Sequence, residues 1–85
     1  MEPRGSYTYK ILDDVKRHPI STYKMRAQRC HMSTAFAHRV INYLESCQQV
    51  VIQLNLPFKT QNILLTQKGE KAFIALQHLH KMVKT

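Results

Sequence analysis

Five side chains in the sequence belong to types that bind metal ions: Cys30, His31, Cys47, His78 and His80. Cys30 and His31 are adjacent, so they cannot easily converge on one ion. His78 and His80 lie two positions apart and would diverge around a helix. The two cysteines lack CxxC spacing and are too few for a disulfide framework. We therefore expect no metal and no cofactor, and we interpret the cysteines as small core residues, with a disulfide between them as the alternative.

Catalytic chemistry has equally little support in the sequence. Asp13 and Asp14 are the one adjacent pair among 5 acidic residues, and adjacent helix residues face different directions, so we interpret the pair as surface charge. The sequence has neither a glycine-rich phosphate loop nor a nucleophile motif. We expect the protein not to be an enzyme.

Positive charge is the strongest chemical signal, since 13 Lys and Arg give a net charge of +8. Between Val15 and Leu44 there is no Asp or Glu. The basic residues there, here called the central cations, are Lys16, Arg17, Lys24, Arg26, Arg29 and Arg39. Charge that serves only solubility usually mixes both signs. This asymmetry predicts a polyanionic partner, and a nucleic acid is the simplest one.

Helical signals surround the central cations. Apolar residues at helical spacing predict a first helix from Ser6, and Pro19 ends it at about residue 18. Ile20 is expected to enter as a short extended piece. Ser21 or Thr22 then caps a second helix, and Ser33 caps a third. Two short helices joined by a tight turn form a helix-turn-helix over residues 21–48.

The third helix has two possible apolar stripes. The first consists of Ala37, Val40, Ile41 and Leu44, and the second of Phe36, Val40, Tyr43 and Cys47. Under the first, Phe36 faces solvent and could contact a thymine methyl group, whereas under the second it is a core residue. The buried face could also include parts of both stripes.

A β-hairpin and a last helix follow. Residues 50–56 and 61–65 alternate like strands around Pro57, and such a hairpin must pack against the helices to be stable. Thr66 caps the last helix, which runs to about Val83. This helix has two semi-apolar faces, so we expect one to contact its own domain and the other a second copy. The expected dimer interface, including part of the first helix, is Tyr7, Ile11, Ala72, Ile74, Ala75, Leu76, His78, Leu79, Met82 and Val83.

With these elements in place, the segment from Leu65 to Lys71 resembles the start of the helix that follows the wing in winged-helix transcription regulators. Its Leu-Thr-x-Lys-Gly pattern recurs in the multiple-antibiotic-resistance-regulator (MarR) and PadR-like groups. Residues 20–23, 32–35 and 64–69 are more closely similar, in the same order, to small winged-helix proteins of fuselloviruses and related archaeal viruses and plasmids. The resemblance covers about residues 7–83.

The resemblance implies an intracellular, dimeric, DNA-binding protein in transcriptional control. It places residues 33–39 in the major groove and residues 59–61 on the wing, which meets DNA. The expected DNA-contacting residues are Ser21, Thr22, Lys24, Arg26, Ser33, Thr34, Ala35, Phe36, His38, Arg39, Lys59, Thr60 and Gln61. Arg39 is the strongest candidate for a base contact, because arginine can bind guanine with two hydrogen bonds. The sequence departs from the family at Gln48, where glycine is usual, and at the apolar wing tip of residues 56–58.

We therefore expect an α+β winged helix-turn-helix: three helices, a β-hairpin wing over residues 50–65 and a C-terminal dimerisation helix over residues 66–84. Eighty-five residues suffice for one domain, here 6–85, after a disordered start at 1–5. No apolar run approaches the roughly 20 residues of a membrane span, so we expect a cytoplasmic protein that binds double-stranded DNA as a homodimer and does not enter a membrane. The alternatives are a winged helix used for protein contacts and a metal- or redox-responsive regulator.

Overall fold

The computed structural model describes residues 5–55 and 60–83. Along the chain lie α1 (Gly5–Arg17), β1 (Ile20–Ser21), α2 (Tyr23–Arg29), α3 (Thr34–Ser46), β2 (Val50–Asn55), β3 (Thr60–Leu65) and α4 (Gln67–Val83). The strands form one antiparallel sheet in the order β1-β3-β2. This arrangement confirms the predicted α+β winged helix-turn-helix. The expected disorder through residue 5 is wrong at one position, because Gly5 already belongs to α1; residues 1–4 lie outside the described part.

Side chains fix the starts of three helices. The hydroxyl oxygens of Thr22, Ser33 and Thr66 each accept a hydrogen bond from the backbone N–H three residues later, at 3.0 to 3.1 Å. Such a cap contributes about 1 kcal/mol because it satisfies a donor that the helix itself leaves unpaired. The caps of α3 and α4 are those that the sequence predicts, and Thr22 rather than Ser21 caps α2.

Two residues other than glycine adopt left-handed backbone conformations at the ends of α2 and α3. They are His31, with φ of 56°, and Gln48, with φ of 59°. At both ends the N–H of the next residue bonds back to the helix, from Met32 to the Ala27 carbonyl at 3.0 Å and from Gln49 to the Leu44 carbonyl at 2.9 Å. These bonds define Schellman caps, in which glycine is the usual residue. Gln48 therefore supplies the geometry of the expected glycine, at a cost of about 1 kcal/mol.

The core lies where α1, α3 and the sheet meet. Its buried apolar residues are Ile11, Leu12, Val15, Ala27, Cys30, Ala37, Val40, Ile41, Leu44, Val50, Ile63 and Phe73. All four members of the first predicted stripe of α3 are in this core, while Phe36, Tyr43 and Cys47 are half-buried. The buried face of α3 is thus the first stripe, with the second along its flank.

The start of α4 is joined to the turn after α3. The Thr66 N–H donates to the Gln49 carbonyl at 3.0 Å, and the Thr66 hydroxyl donates to the Gln48 carbonyl at 2.6 Å. Gly69 lies directly against this turn: a Cβ atom there would be 2.0 Å from the Gln49 carbonyl oxygen. Glycine is therefore required at position 69 by the close approach of two backbones.

Aromatic rings join α4 to α1. Tyr9 stacks on Phe73 with ring centroids 5.5 Å apart and on His80 at 5.0 Å. Phe73 is buried by this packing. The side of α4 that faces its own domain therefore runs through Gly69, Phe73 and His80, whereas Leu79 is 57% exposed.

Candidate nucleic-acid interface

The beginning of α3 presents one exposed face on the side opposite the core. The exposed residues are Ser33, Thr34, Ala35, His38, Arg39 and Asn42. They are exposed because the buried stripe of the same helix occupies the other side. The major groove of B-DNA is about 12 Å wide and admits an α-helix, so this face could be presented to the edges of the bases. We call these six residues the α3 face.

Asn42 belongs to the α3 face, although it is not among the DNA-contacting residues expected from the sequence. It follows Arg39 by three residues and His38 by four, so the three side chains are neighbours on the helix surface. Asparagine can form two hydrogen bonds with adenine. Helical spacing counted from Arg39 would have identified it.

His38 is held against a residue of α2. Its ring stacks on Tyr23 with centroids 3.7 Å apart and an angle of 25° between the planes. Tyr23 is half-buried, and burial, followed by the nearby negative charge of Glu45, raises the pKa of its hydroxyl above the usual value. The phenol, like an ordinary tyrosine, is neutral near pH 7, and His38 itself is exposed.

Phe36, the ambiguous residue of the sequence analysis, packs on α1. Its ring meets Tyr7 edge to face, with centroids 4.9 Å apart and planes at 84°. It is half-buried against the core. The structure therefore places Phe36 in the contact between α1 and α3, and we leave it out of the proposed DNA contacts.

Two of the residues expected to hold phosphates are not at the surface. Arg26 is 0% exposed and Ser21 is 6% exposed. Thr22 caps α2 and is half-buried, and Lys24 is exposed on the first turn of α2. Thr22 and Lys24 remain candidates for phosphate contacts, whereas the expectation for Ser21 and Arg26 is corrected by their burial.

Arg26 instead belongs to a buried ion cluster with Asp14 and Arg29. The Arg26 Nη1 lies 2.7 Å from Asp14 Oδ2, and the Arg29 Nε lies 2.6 Å from Asp14 Oδ1. Arg29 also donates to the Ser21 hydroxyl at 2.8 Å. Burial lowers the pKa of Arg26, whereas the hydrogen bond to Asp14 raises the pKa of Arg29. One carboxylate of α1 thus binds two guanidinium groups of α2 and fixes the angle between these helices.

Four of the six central cations pair with carboxylates within the fold. In addition to the buried cluster, Arg17 pairs with Asp13 at 3.2 Å and Lys16 with Glu70 at 3.1 Å. Within the described part of the chain, Lys24 and Arg39 are the central cations without a carboxylate partner. Both of these cations lie in the helix-turn-helix, Lys24 on α2 and Arg39 on α3.

The wing is described only in part. Lys59 and the apolar tip of residues 56–58 lie outside the described residues. Thr60 and Gln61, at the start of β3, are half-buried, and Gln61 Oε1 is a buried atom with no hydrogen-bond partner in the described structure. Wing contacts with DNA therefore stay a prediction.

The cysteines are free thiols in the structure. Burial, reinforced by the negative charge of Asp14, raises the pKa of Cys30 to about 11. Reaction of Cys30 as a thiolate near pH 7 is therefore strongly disfavoured. Residues 5–55 and 60–83 contain no group of three or more His, Cys, Asp or Glu side chains that could hold a metal ion. Over the same residues, no helix is both long and apolar enough to cross a membrane.

The side of α4 turned away from the domain is apolar. Its exposed residues, here called the outer face of α4, are Ile74, Ala75, His78, Leu79 and Met82. Ala72 and Leu76 of the same helix are half-buried, and the Val83 side chain lies outside the described part. Tyr7, on α1, is half-buried against Phe36 of α3. Ile11, which was expected in the same interface, is 0% exposed in the core of its own protomer. It is therefore not available to a second copy.

Comparison with known proteins supports the fold. No family model matches the sequence, and no curated protein matches it. Among solved structures, Sso10a-2, a DNA-binding protein from Sulfolobus solfataricus, is similar with a TM-score of 0.80 and 12% identity, over 98% of this chain and 83% of that one. A MarR family transcriptional regulator from Silicibacter pomeroyi gives 0.74 and 17% over 92% of this chain and 52% of that one. The M. tuberculosis transcriptional regulator MOSR, solved in complex with DNA, gives 0.76 and 19% over 92% and 56%.

The chain thus spans little more than half the length of these two regulators and most of the length of Sso10a-2. At these sequence identities the likeness establishes the fold. The chain has the winged-helix fold that MarR-family regulators and Sso10a-2 share.

Proposed function

We propose that the protein is a sequence-specific, double-stranded DNA-binding transcription regulator and not an enzyme. It acts as a cytoplasmic homodimer with α3 in the major groove. The observation that carries the proposal is the α3 face, in which every side chain but Ala35 is polar and Arg39 is exposed and unpaired within the described structure. The DNA-bound state of MOSR and the description of Sso10a-2 as DNA-binding support it. The sequence motifs further suggest kinship with the small regulators of archaeal viruses and plasmids.

The proposed contacts divide into two groups. Thr22 and Lys24, at the start of α2, bind phosphates and set the position of the protein on the duplex. Arg39 and Asn42 read base edges, with guanine and adenine as the bases that suit their side chains. The wing residues Lys59 and Thr60 stay candidates for a further contact with the DNA backbone.

Arg39→Ala should weaken binding to the preferred duplex by about 1–3 kcal/mol, because a base contact and a unit of charge are both lost. The preferred duplex is first enriched from a randomised library, and affinity is measured by fluorescence anisotropy. The matched control is Arg17→Ala, which removes an exposed arginine already paired with Asp13 and should change affinity little. Equal effects of the two substitutions would contradict a specific role for Arg39.

Salt dependence separates the proposal from its main alternative. Binding to phosphates releases counterions, so affinity for DNA should fall as salt concentration rises. A winged helix used for protein contacts is the second candidate, because the outer face of the sheet exposes Ile20, Val51 and Leu64. Absent or salt-insensitive binding of duplex DNA would favour that candidate.

The outer face of α4 supports the proposed homodimer, because Ile74 is 61% exposed and Leu79 is 57% exposed on one side of the helix. Leu79→Glu should convert the dimer to a monomer at micromolar concentration, since a charge would be buried in an apolar interface. Light scattering measures the mass. Ile20→Glu is the matched control, because Ile20 is also an apolar residue that is 57% exposed but lies on β1, and this variant should remain dimeric. A monomeric unaltered protein would refute the dimer.

A further inference from the structure

The stacked rings of Tyr23 and His38 connect the first turn of α2 to the α3 face. Their centroids are 3.7 Å apart, and their planes deviate by 25°. Tyr23 is half-buried and packs against the hydrophobic core, whereas His38 is exposed. One ring is therefore anchored by the fold, and the other lies on it.

This contact restricts the orientation of His38. An exposed histidine on a helix can ordinarily adopt several side-chain rotamers. Stacking on a fixed neighbour selects the rotamer that keeps the ring faces parallel. Neither ring nitrogen of His38 has a hydrogen-bond partner within the described structure, so both remain available to a ligand.

Tyr23 acts in this arrangement through its ring and not through charge. A tyrosine hydroxyl is protonated at neutral pH, and burial raises its pKa further. The Tyr23 hydroxyl is also not needed for stacking. A phenylalanine at this position should therefore hold His38 equally well.

We propose that Tyr23 is a positioning residue that holds His38 for a hydrogen bond to the N7 atom of a purine in the major groove. This inference rests on the proposed DNA-binding function. A neutral imidazole always carries one N–H donor, and N7 is an acceptor that adenine and guanine share and pyrimidines lack. Each half-site should accordingly contain one position where either purine is accepted and pyrimidines are disfavoured.

The inference is tested by enrichment of duplexes from a randomised library with the unaltered protein, Tyr23→Phe, Tyr23→Leu and His38→Ala. The unaltered protein and Tyr23→Phe should enrich the same motif. Tyr23→Leu, which retains an apolar side chain against the core, and His38→Ala should both lose the purine preference at the same single position. Competition titrations with duplexes that differ at that base pair should show a loss of discrimination of about tenfold.

Circular dichroism first establishes a temperature at which every variant is folded. The double variant Tyr23→Leu/His38→Ala should discriminate between base pairs no worse than His38→Ala alone, because both substitutions act on the same contact, that of His38 with the purine. A folded Tyr23→Leu protein with an unchanged motif would overturn the inference, as would losses at two different positions. If the unaltered protein enriches no motif, the proposed function itself fails, and this result is distinguishable from the failure of the inference alone.

Discussion

Gly69→Ala should lower the free energy of unfolding by about 3 kcal/mol, although alanine is the better helix former. Helix propensity alone would favour the substitution by about 1 kcal/mol. The added Cβ, however, would lie 2.0 Å from the Gln49 carbonyl oxygen and 2.9 Å from its carbonyl carbon. Both atoms belong to the backbone, so the start of α4 and the turn after α3 would have to separate. Overpacking of this kind outweighs the gain in propensity.

Urea denaturation followed by circular dichroism measures the effect, because a domain of this size is expected to unfold in one step. Gly5→Ala is the matched control. There the new Cβ would meet the Leu76 Cδ2 atom at 3.3 Å, and a side-chain atom can move aside. The stability of Gly5→Ala should stay within about 1 kcal/mol of the unaltered protein. A Gly69→Ala protein of unchanged stability would show that α4 is not held against the turn.

Asp14→Asn should be the other severe substitution, with a loss of about 3–5 kcal/mol. The change leaves the Arg26 guanidinium, which is 0% exposed, without its negative partner. Arg29 loses the same partner, but its side chain is 28% exposed and can be hydrated in part. A buried charge that has lost its counter-ion is far more costly than the net contribution of the intact pair.

The adjacent acid provides the control for Asp14. Asp13 pairs with Arg17, whose side chain is 73% exposed, so Asp13→Asn should cost at most about 1 kcal/mol. Urea is again the suitable denaturant, because it does not screen charges. The double variant Asp14→Leu/Arg26→Met should lose less stability than Asp14→Asn alone, because the buried charge of Arg26 is removed together with its partner. Equal losses for Asp13→Asn and Asp14→Asn would contradict the buried cluster.

The parts of the fold that sequence reasoning predicted are those that local rules determine. Ser33 and Thr66 cap helices through bonds to residues three positions away, so their function is visible in short segments. The order of helices and hairpin also follows from changes in hydrophobic period. This sequence has Gln48 at the position after α3 where glycine is usual, and Gln48 nevertheless adopts the same left-handed backbone conformation.

The sequence could not show which cations are buried. No acid lies between residues 15 and 44, yet the three carboxylates that pair with four of the central cations lie just outside that window or far along the chain, at Asp13, Asp14 and Glu70. Their pairing depends on how α1 packs against α2 and α4, which is a tertiary property. For the same reason, Gly69 could be recognised as unusual for a helix start, but its contact with Gln49 could not be foreseen.

In the proposed role, the pairing of four central cations with carboxylates would also affect how the molecule is distributed among DNA sites. A genome offers about 10⁶–10⁹ competing sites, and phosphate contacts make a basic protein adhere to all of them. With Arg26 and Arg29 bound to Asp14, and with Arg17 and Lys16 paired on the surface, fewer cations are available for such adhesion. In the proposed role, a smaller fraction of the protein would be retained on unrelated sequence. Occupancy of the correct site would then depend more on base contacts from α3 than on the net charge of +8.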